Sequence, residues 1–254
     1  MKKYTAESVT EGHPDKVCDI IADSVLDECL RFDMASRVAC EVMATKGHIL
    51  VAGETAGSHI PRVPEIVRDV LRRVGYPEDR YTLEVLLPRQ SPDISAGVTG
   101  PLEARAGQAE GMQLGAGDQG VMVGYACSET PQMQPLPVVL ARRLTNRLTM
   151  VRKSEAVPGL GPDGKAQVTV EYDEDGKPRR LDTVVLSAQH SPEKPMDELF
   201  WQLTDSVLEP ALQILPPDEN TKILLNPSGR FVLGGPEADT GLTGRKLMVD
   251  SYGV

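Results

Sequence analysis

The chain has 254 residues, enough for one large domain or two ordinary ones, and its composition, 40% hydrophobic and 25% charged, is typical of a globular protein. A formal net charge of −10 argues against a general nucleic-acid binder, because phosphate backbones need a basic surface. It does not argue against a nucleotide site, where a few local lysines and arginines suffice.

The cysteines and the lengths of the apolar runs bear on where in the cell the protein is located. Cys18, Cys29, Cys40 and Cys127 form no C-x-x-C pair, so we interpret them as small buried hydrophobes in a reducing cytosol rather than as zinc ligands. No apolar run approaches the roughly 18 residues that span a bilayer, and no signal peptide is visible. We therefore expect a cytoplasmic protein with no membrane partner.

Hydrophobic periodicity predicts the elements of the first part of the chain. The pattern predicts helices over residues 15–31 and 63–74, and strands over 37–44, 49–54 and 83–87. The turn between the first two strands contains Gly47, where a positive φ costs little.

Residues 88–120 have an unusual composition, with seven glycines and no clear period. A loop of this length inside a compact domain is usually functional or disordered. Two interpretations stay open, an active-site lid and an exposed linker between domains.

The second part repeats the order of the first. A strand is predicted over residues 121–126 and a helix with a basic far end over 136–151. The further elements are strands over 166–172 and 181–189, a helix over 196–208 and a strand over 221–225. Because a hairpin followed by a helix occurs twice, we predict two related α+β units, each a sheet with helices on one face.

Charged residues near glycines are the candidates for chemistry. His13, Asp15 and Lys16 lie where the first helix begins. They form either a phosphate site with a metal or an ordinary helix start, and such starts are common. Glu41 and Glu54 are either ligands or solvent-facing strand positions. Arg245-Lys246 is either a phosphate-binding pair or solvated surface. Walker A, dinucleotide-binding, nucleophile-elbow and protein-kinase motifs are absent from the sequence.

In this order, the motifs resemble the S-adenosylmethionine synthetase (methionine adenosyltransferase) family of the bacterial and eukaryotic type. The resemblance runs collinearly over nearly the whole chain and rests on the segments 7–16, 90–94, 115–120, 165–169, 189–191 and 226–246, together with the hairpin that carries Glu41 and Glu54.

The resemblance implies an α+β (α/β) fold of three similar units about a pseudo-threefold axis, with active sites shared in a homodimer, possibly a tetramer. It implies domains at residues 1–100, 101–231 and 232–254, the last being only the start of a C-terminal domain whose lysines grip phosphate and methionine. A strand would lie at 247–250. We therefore expect this chain alone to be inactive.

The resemblance also implies the reaction. Methionine sulfur attacks the ribose C5′ of ATP and displaces triphosphate, which is then hydrolysed to pyrophosphate and phosphate, with Mg²⁺ and K⁺ assisting. The implied catalytic residues are His13, Lys165 and Arg245. The implied ATP-binding residues are His13, Asp163, Lys165, Arg230, Phe231, Asp239, Arg245 and Lys246. The implied methionine-binding residues are Glu54, Gln90, Asp118 and Asp239, and the implied metal ligands are Asp15 for Mg²⁺ and Glu41 for K⁺.

Two alternatives to this function stay open. The first is a non-catalytic nucleotide-binding or regulatory member of the family, suggested by the absent lysines. The second is another phosphate enzyme such as a triphosphatase, which would release phosphate without needing methionine.

Overall fold

The computed structural model describes residues 2–91, 106–107 and 120–253. The elements of the first unit, in chain order, are β1 (Lys2–Val9), α1 (Pro14–Phe32), β2 (Arg37–Thr45), β3 (His48–Ala56), α2 (Val63–Val74) and β4 (Thr82–Leu86). The following elements are α3 (Leu136–Lys153), β5 (Leu160–Tyr172), β6 (Pro178–His190), α4 (Met196–Leu203), a π-helix (Thr204–Leu208), α5 (Glu209–Ala211), β7 (Lys222–Leu225), a 3-10 helix (Gly235–Glu237), β8 (Gly241–Leu242) and α6 (Leu247–Asp250).

The strands form two four-stranded sheets, in the orders β4-β3-β2-β8 and β1-β5-β6-β7. In the first sheet, β2 and β3 form an antiparallel hairpin, and β4 runs parallel to β3. In the second, β5 and β6 are antiparallel, and β7 runs parallel to β6. Each sheet thus contains one long hairpin, as the repeated sequence pattern predicts.

Each sheet has its own apolar core beneath helices. The first core joins α1 and α2 to the hairpin through residues such as Ile21, Leu71 and Ile49. The second joins α3 and α4 to β5 and β6, with Leu144 and Leu186 completely buried. The apolar faces of these helices are buried against the sheets, and because this removes apolar surface from water, each sheet and its helices stabilise one another.

The two units exchange strands. The N-terminal β1 pairs antiparallel with β5, from Lys2 opposite Tyr172 to Val9 opposite Lys165. In return, β8 pairs with β2, with Met43 opposite Leu242. As a result, the start of α1 lies beside the start of β5, where Thr10 N donates to Gly164 O at 2.9 Å.

The structure confirms the two-unit α+β fold and the elements predicted within it, and it corrects two others. Residues 121–126 form no strand, because they pair with no described strand and Met122 is 92% exposed. Residues 247–250 form a helical turn instead of a strand, since Val249 N and Asp250 N both donate to Lys246 O. The strand β1 (Lys2–Val9) was not predicted from the sequence.

Most of the glycine-rich stretch 88–120 lies outside the described residues, so both interpretations of it stay predictions. Among the helices in the described ranges, none has both the length and the apolar character needed to cross a bilayer.

Candidate functional site

The start of α1 is capped by His13 and packed closely against β5. His13 Nδ1 accepts a hydrogen bond from Asp15 N at 3.2 Å, and Pro14 occupies the first helical turn. A Cβ atom at Gly12 would lie 2.3 Å from Pro162 O, so only glycine allows this approach. Gly12 O accepts a hydrogen bond from the buried Tyr76 hydroxyl at 2.6 Å.

The His13 ring is neutral at pH 7. Its burial, followed by the nearby Lys246 ammonium, lowers the pKa of His13 to about 4, although Asp15 acts in the opposite direction. Because Nδ1 accepts from the helix backbone, the single ring proton is on Nε2. His13 therefore offers a neutral N–H donor on the side of the ring away from the cap.

Asp15 is the centre of the charged cluster. Its side chain is 1% exposed and lies 2.6 Å from Lys246 Nζ and 3.1 Å from Arg245 Nε. Leu242 N also donates to Asp15 Oδ1 at 3.0 Å. Burial by itself would raise the pKa of Asp15, but the hydrogen bonds from Lys246 and Leu242 outweigh it and the pKa lies below its ordinary value.

The lysines and arginines around the start of α1 are each paired with a carboxylate. They are Lys16, Lys165, Arg245 and Lys246. Lys165 on β5 forms an ion pair with Glu7 on β1. Lys16 Nζ lies 2.5 Å from Asp250 and 3.1 Å from Asp19. An anionic ligand that entered here would compete with these carboxylates for the cations.

Asp163 is buried and fastens a distant segment to β5. Its Oδ2 accepts from Gly235 N at 2.7 Å. Burial raises the pKa of Asp163 to about 6, although the hydrogen bond from Gly235 acts in the opposite direction. A carboxylate that is expensive to keep charged at neutral pH is a mark of functional sites.

We expect Asp163→Asn to stabilise the fold at pH 7.5 by about 1–3 kcal/mol, because the amide oxygen can still accept from Gly235 while the buried charge is gone. Since the folded pKa of Asp163 is raised, its charge costs nothing below the unfolded value of 3.8, and the cost grows as pH rises through about 6. Urea unfolding at pH 4.5 and 7.5 should therefore show a difference that widens with pH. Asp79→Asn, at an exposed position that does not act on Asp163, is the control, and a difference independent of pH would contradict the prediction.

Glu54 and Gln90 form a second group at the end of β3. Gln90 N donates to Thr55 O at 2.9 Å, which attaches Gln90 to the residue that follows Glu54 on β3. Glu54 Oε2 and Gln90 Oε1 are buried and have no hydrogen-bond partner among the described residues. Two unpartnered acceptors are costly, and they fit a ligand that brings N–H donors.

The remaining predicted site residues are more dispersed. Asp239 is exposed and accepts from Thr240 N at 2.9 Å, close enough to His13 and Asp163 to affect the pKa of both. Arg230 is exposed and donates to Pro192 O at 3.3 Å. Glu41 is exposed and accepts from the hydroxyl of Thr243. Asp118 lies outside the described residues.

The carboxylates of the site decide what kind of metal ion it could hold. Within the described ranges there is no group of three or more histidine, cysteine or acidic side chains able to hold a metal ion. A single carboxylate such as Asp15 fits Mg²⁺ that is shared with substrate phosphates, since Mg²⁺ usually keeps waters and binds one or two carboxylates.

Two residues of this site, Tyr76 and Glu7, were not predicted from the sequence. Tyr76 carries no local signal, because its hydroxyl reaches Gly12 only through the packing of α2. Glu7 belongs to the opening motif, but its pairing with Lys165 depends on the β1–β5 register.

Two sheet-and-helix units with a cluster of paired cations and carboxylates between them define an α+β protein with a charged cluster at the junction of its sheets. Residues 1–90 match the family model of the S-adenosylmethionine synthetase N-terminal domain, and residues 113–231 match that of the central domain. The chain belongs to the S-adenosylmethionine synthetase family, and these domains support a synthetase role.

Proposed function

We propose that the protein is a methionine adenosyltransferase, which makes S-adenosylmethionine from ATP and L-methionine. The observation that carries the proposal is the cluster of His13, Asp15, Lys165, Arg245 and Lys246, gathered from both units of a chain of this family. In the proposed reaction the sulfur forms a bond to ribose C5′ as the C5′–O5′ bond breaks, and triphosphate leaves. Triphosphate is then hydrolysed to pyrophosphate and phosphate.

The chemistry needs little proton transfer, because the thioether sulfur is a neutral nucleophile. The barrier falls when sulfur, C5′ and O5′ are aligned and when the charge that develops on triphosphate is stabilised. His13 suits the leaving oxygen, since its Nε2–H is a neutral donor. Lys165, Arg245 and Lys246 supply positive charge for the phosphates.

The ion pairs of the cluster suggest how the site receives its ligands. Triphosphate oxygens would replace Glu7 as the partner of Lys165, and Asp15 as the partner of Arg245 and Lys246. Asp15 would then be free to hold Mg²⁺, and Glu41 would hold K⁺. When bound, these ions would neutralise part of the phosphate charge and of the acidic surroundings.

We assign the two halves of the substrate pair to the remaining residues. Asp163, Arg230, Phe231 and Asp239 would bind the adenosine part of ATP. Glu54, Gln90, Asp118 and Asp239 would bind methionine, and the unpartnered oxygens of Glu54 and Gln90 support a contact with its ammonium group. A homodimer with shared sites, a tetramer of two such dimers, and a cytoplasmic location remain part of the proposal.

The test is an assay of the full reading frame, including any residues that it encodes beyond Val254. With ATP, methionine, Mg²⁺ and K⁺ we expect S-adenosylmethionine to form, and phosphate release to depend on methionine. Phosphate release that ignores methionine, with no sulfonium product, would support a triphosphatase instead. Binding of ATP without any turnover would support a non-catalytic nucleotide-binding member.

We further expect the 254-residue chain, purified alone, to show little or no synthesis under the same conditions. Clear turnover by this chain would contradict that expectation while leaving the assigned reaction intact.

A further inference from the structure

The segment 231–235, which follows the predicted adenosine contact Arg230, lies along the end of β6. It is attached there through both backbone and side-chain hydrogen bonds. His190 N donates to Phe231 O at 2.9 Å, and Phe231 N donates in return to His190 Nε2 at 3.1 Å. The backbone N–H and the backbone C=O of Phe231 are therefore both hydrogen-bonded to one residue, His190.

The His190 ring is fully committed to backbone. The ring is buried, with 2% of the residue exposed. Because the Phe231 amide can only donate, Nε2 accepts, and in a neutral ring the proton is then on Nδ1. Nδ1 lies 2.9 Å from Ser191 O and donates to it. With both nitrogens occupied, His190 has no free position for a substrate and acts on the segment alone.

Gln189 makes a second attachment. Its Nε2 donates to Val232 O at 3.0 Å, and its Oε1 accepts from Asp163 N at 3.1 Å. The side chain also lies in a gap that glycines leave open. A Cβ atom would lie 2.4 Å from Gln189 Cδ at Gly161 and 2.6 Å from it at Gly234. Gln189 thus connects β5 to the segment from an enclosed position.

A third attachment completes the arrangement at the far end of the segment, where Gly235 N donates to Asp163 Oδ2. The backbone of 231–235 is consequently held at its first, second and last residues by three neighbouring side chains. Three backbone groups of the segment are thus paired with side chains of β5 and β6, and not with the neighbouring backbone of a regular turn or strand.

We propose that Gln189 and His190 are positioning residues, which hold the backbone of 231–235 so that the Phe231 ring is presented to the adenine base. The inference rests on the proposed function, in which Phe231 contacts adenosine. It assigns the two residues to the adenosine half of the ATP site and not to the phosphate half, which lies at His13, Lys165 and Arg245.

The test compares the affinity for ATP with that for inorganic triphosphate, both with Mg²⁺, on the full reading frame. His190→Leu and Gln189→Met remove the attachments, and each should weaken ATP binding about tenfold while changing triphosphate binding less than about twofold. His190→Gln places a carbonyl oxygen near the position of Nε2, so it should recover ATP affinity to within about threefold of wild type. His59→Leu, whose ring contacts Glu28 and Phe32, and Gln213→Met, at an exposed position after α5, are the matched controls.

The outcomes separate the two proposals. If wild type bound neither ATP nor triphosphate, the proposed function would fail. If wild type bound both, and the variants bound ATP as wild type does, the positioning role would be wrong. An equal loss for ATP and triphosphate would also overturn it, because the residues would then support the whole site. Should His190→Leu not fold, Gln189→Met compared with Gln213→Met decides the question.

Discussion

Replacing His13 with asparagine is expected to slow S-adenosylmethionine formation by about 10²–10³-fold, the usual cost of removing one hydrogen-bond donor to a developing anion. Asparagine can cap a helix as well as any residue, so its side-chain oxygen can accept from Asp15 N as His13 Nδ1 does. It cannot reach the position of Nε2. The variant therefore removes the proposed donor while it keeps the start of α1.

The measurement is the initial rate of product formation by the full reading frame, together with urea unfolding. Asparagine should leave the free energy of unfolding within about 0.5 kcal/mol of wild type, whereas His13→Ala should lose about 1 kcal/mol with the cap. A His13→Asn enzyme that works at nearly the wild-type rate would show that the role assigned to His13 is wrong.

Asp15→Asn is expected to have the largest effect on stability, about 3 kcal/mol of unfolding free energy at pH 7. The substitution keeps the shape of the side chain but places an amide against Lys246 Nζ and Arg245 Nε, which lie 2.6 and 3.1 Å from the carboxylate. Removing one partner of a buried pair leaves the other charge uncompensated, and this costs more than the pair itself contributes.

The pH dependence gives this prediction a second readout. The folded pKa of Asp15 lies below its ordinary value of 3.8, so the stabilising effect of its charge is present above that value and is lost as pH falls through the folded pKa. The difference between wild type and Asp15→Asn should therefore shrink between pH 7 and pH 3. Urea titrations at both values measure it, and a difference that grows in acid would refute the explanation.

A double variant provides the control for Asp15. Adding Lys246→Met to Asp15→Asn removes one of the two cations that the single substitution leaves without Asp15, namely the one closer to it. We expect the double variant to be more stable than Asp15→Asn alone, and the coupling to be measurable as a double-mutant cycle. If the two losses simply added, the ion pair would not be the source of the effect.

Much of the fold could be predicted from the sequence because the signals are local. The hairpins and the long helices have strong apolar periods, and Gly47 and Gly75 mark their turns and ends. The strand β1 lacks such a period, since its first four residues are exposed and its partner is distant in sequence. The apolar runs at 121–126 and 247–250 have the residue types that favour strands. A strand forms only where a neighbouring strand pairs with it, and neither segment pairs with a described strand.

The candidate site divides in the same way. His13 and Arg245 are visible in the sequence as motif residues, so a family resemblance could assign them. That Arg245 reaches Asp15, and that Lys165 reaches Glu7, depends on how the two sheets exchange strands. Such pairings depend on distances in the folded structure, and these distances cannot be calculated from the spacing of residues along the sequence.

The exchange of β1 and β8 also has a consequence for the order of folding during synthesis. Thr5 and Thr169, which share a hydrogen bond across β1 and β5, are 164 residues apart in the sequence. The first strand leaves the ribosome long before its partner exists, and the first sheet likewise waits for β8. Contacts of such high sequence separation form slowly because the loop-closure entropy must be overcome first. We therefore expect the two units to become protease-resistant together, late in translation, and not one after the other.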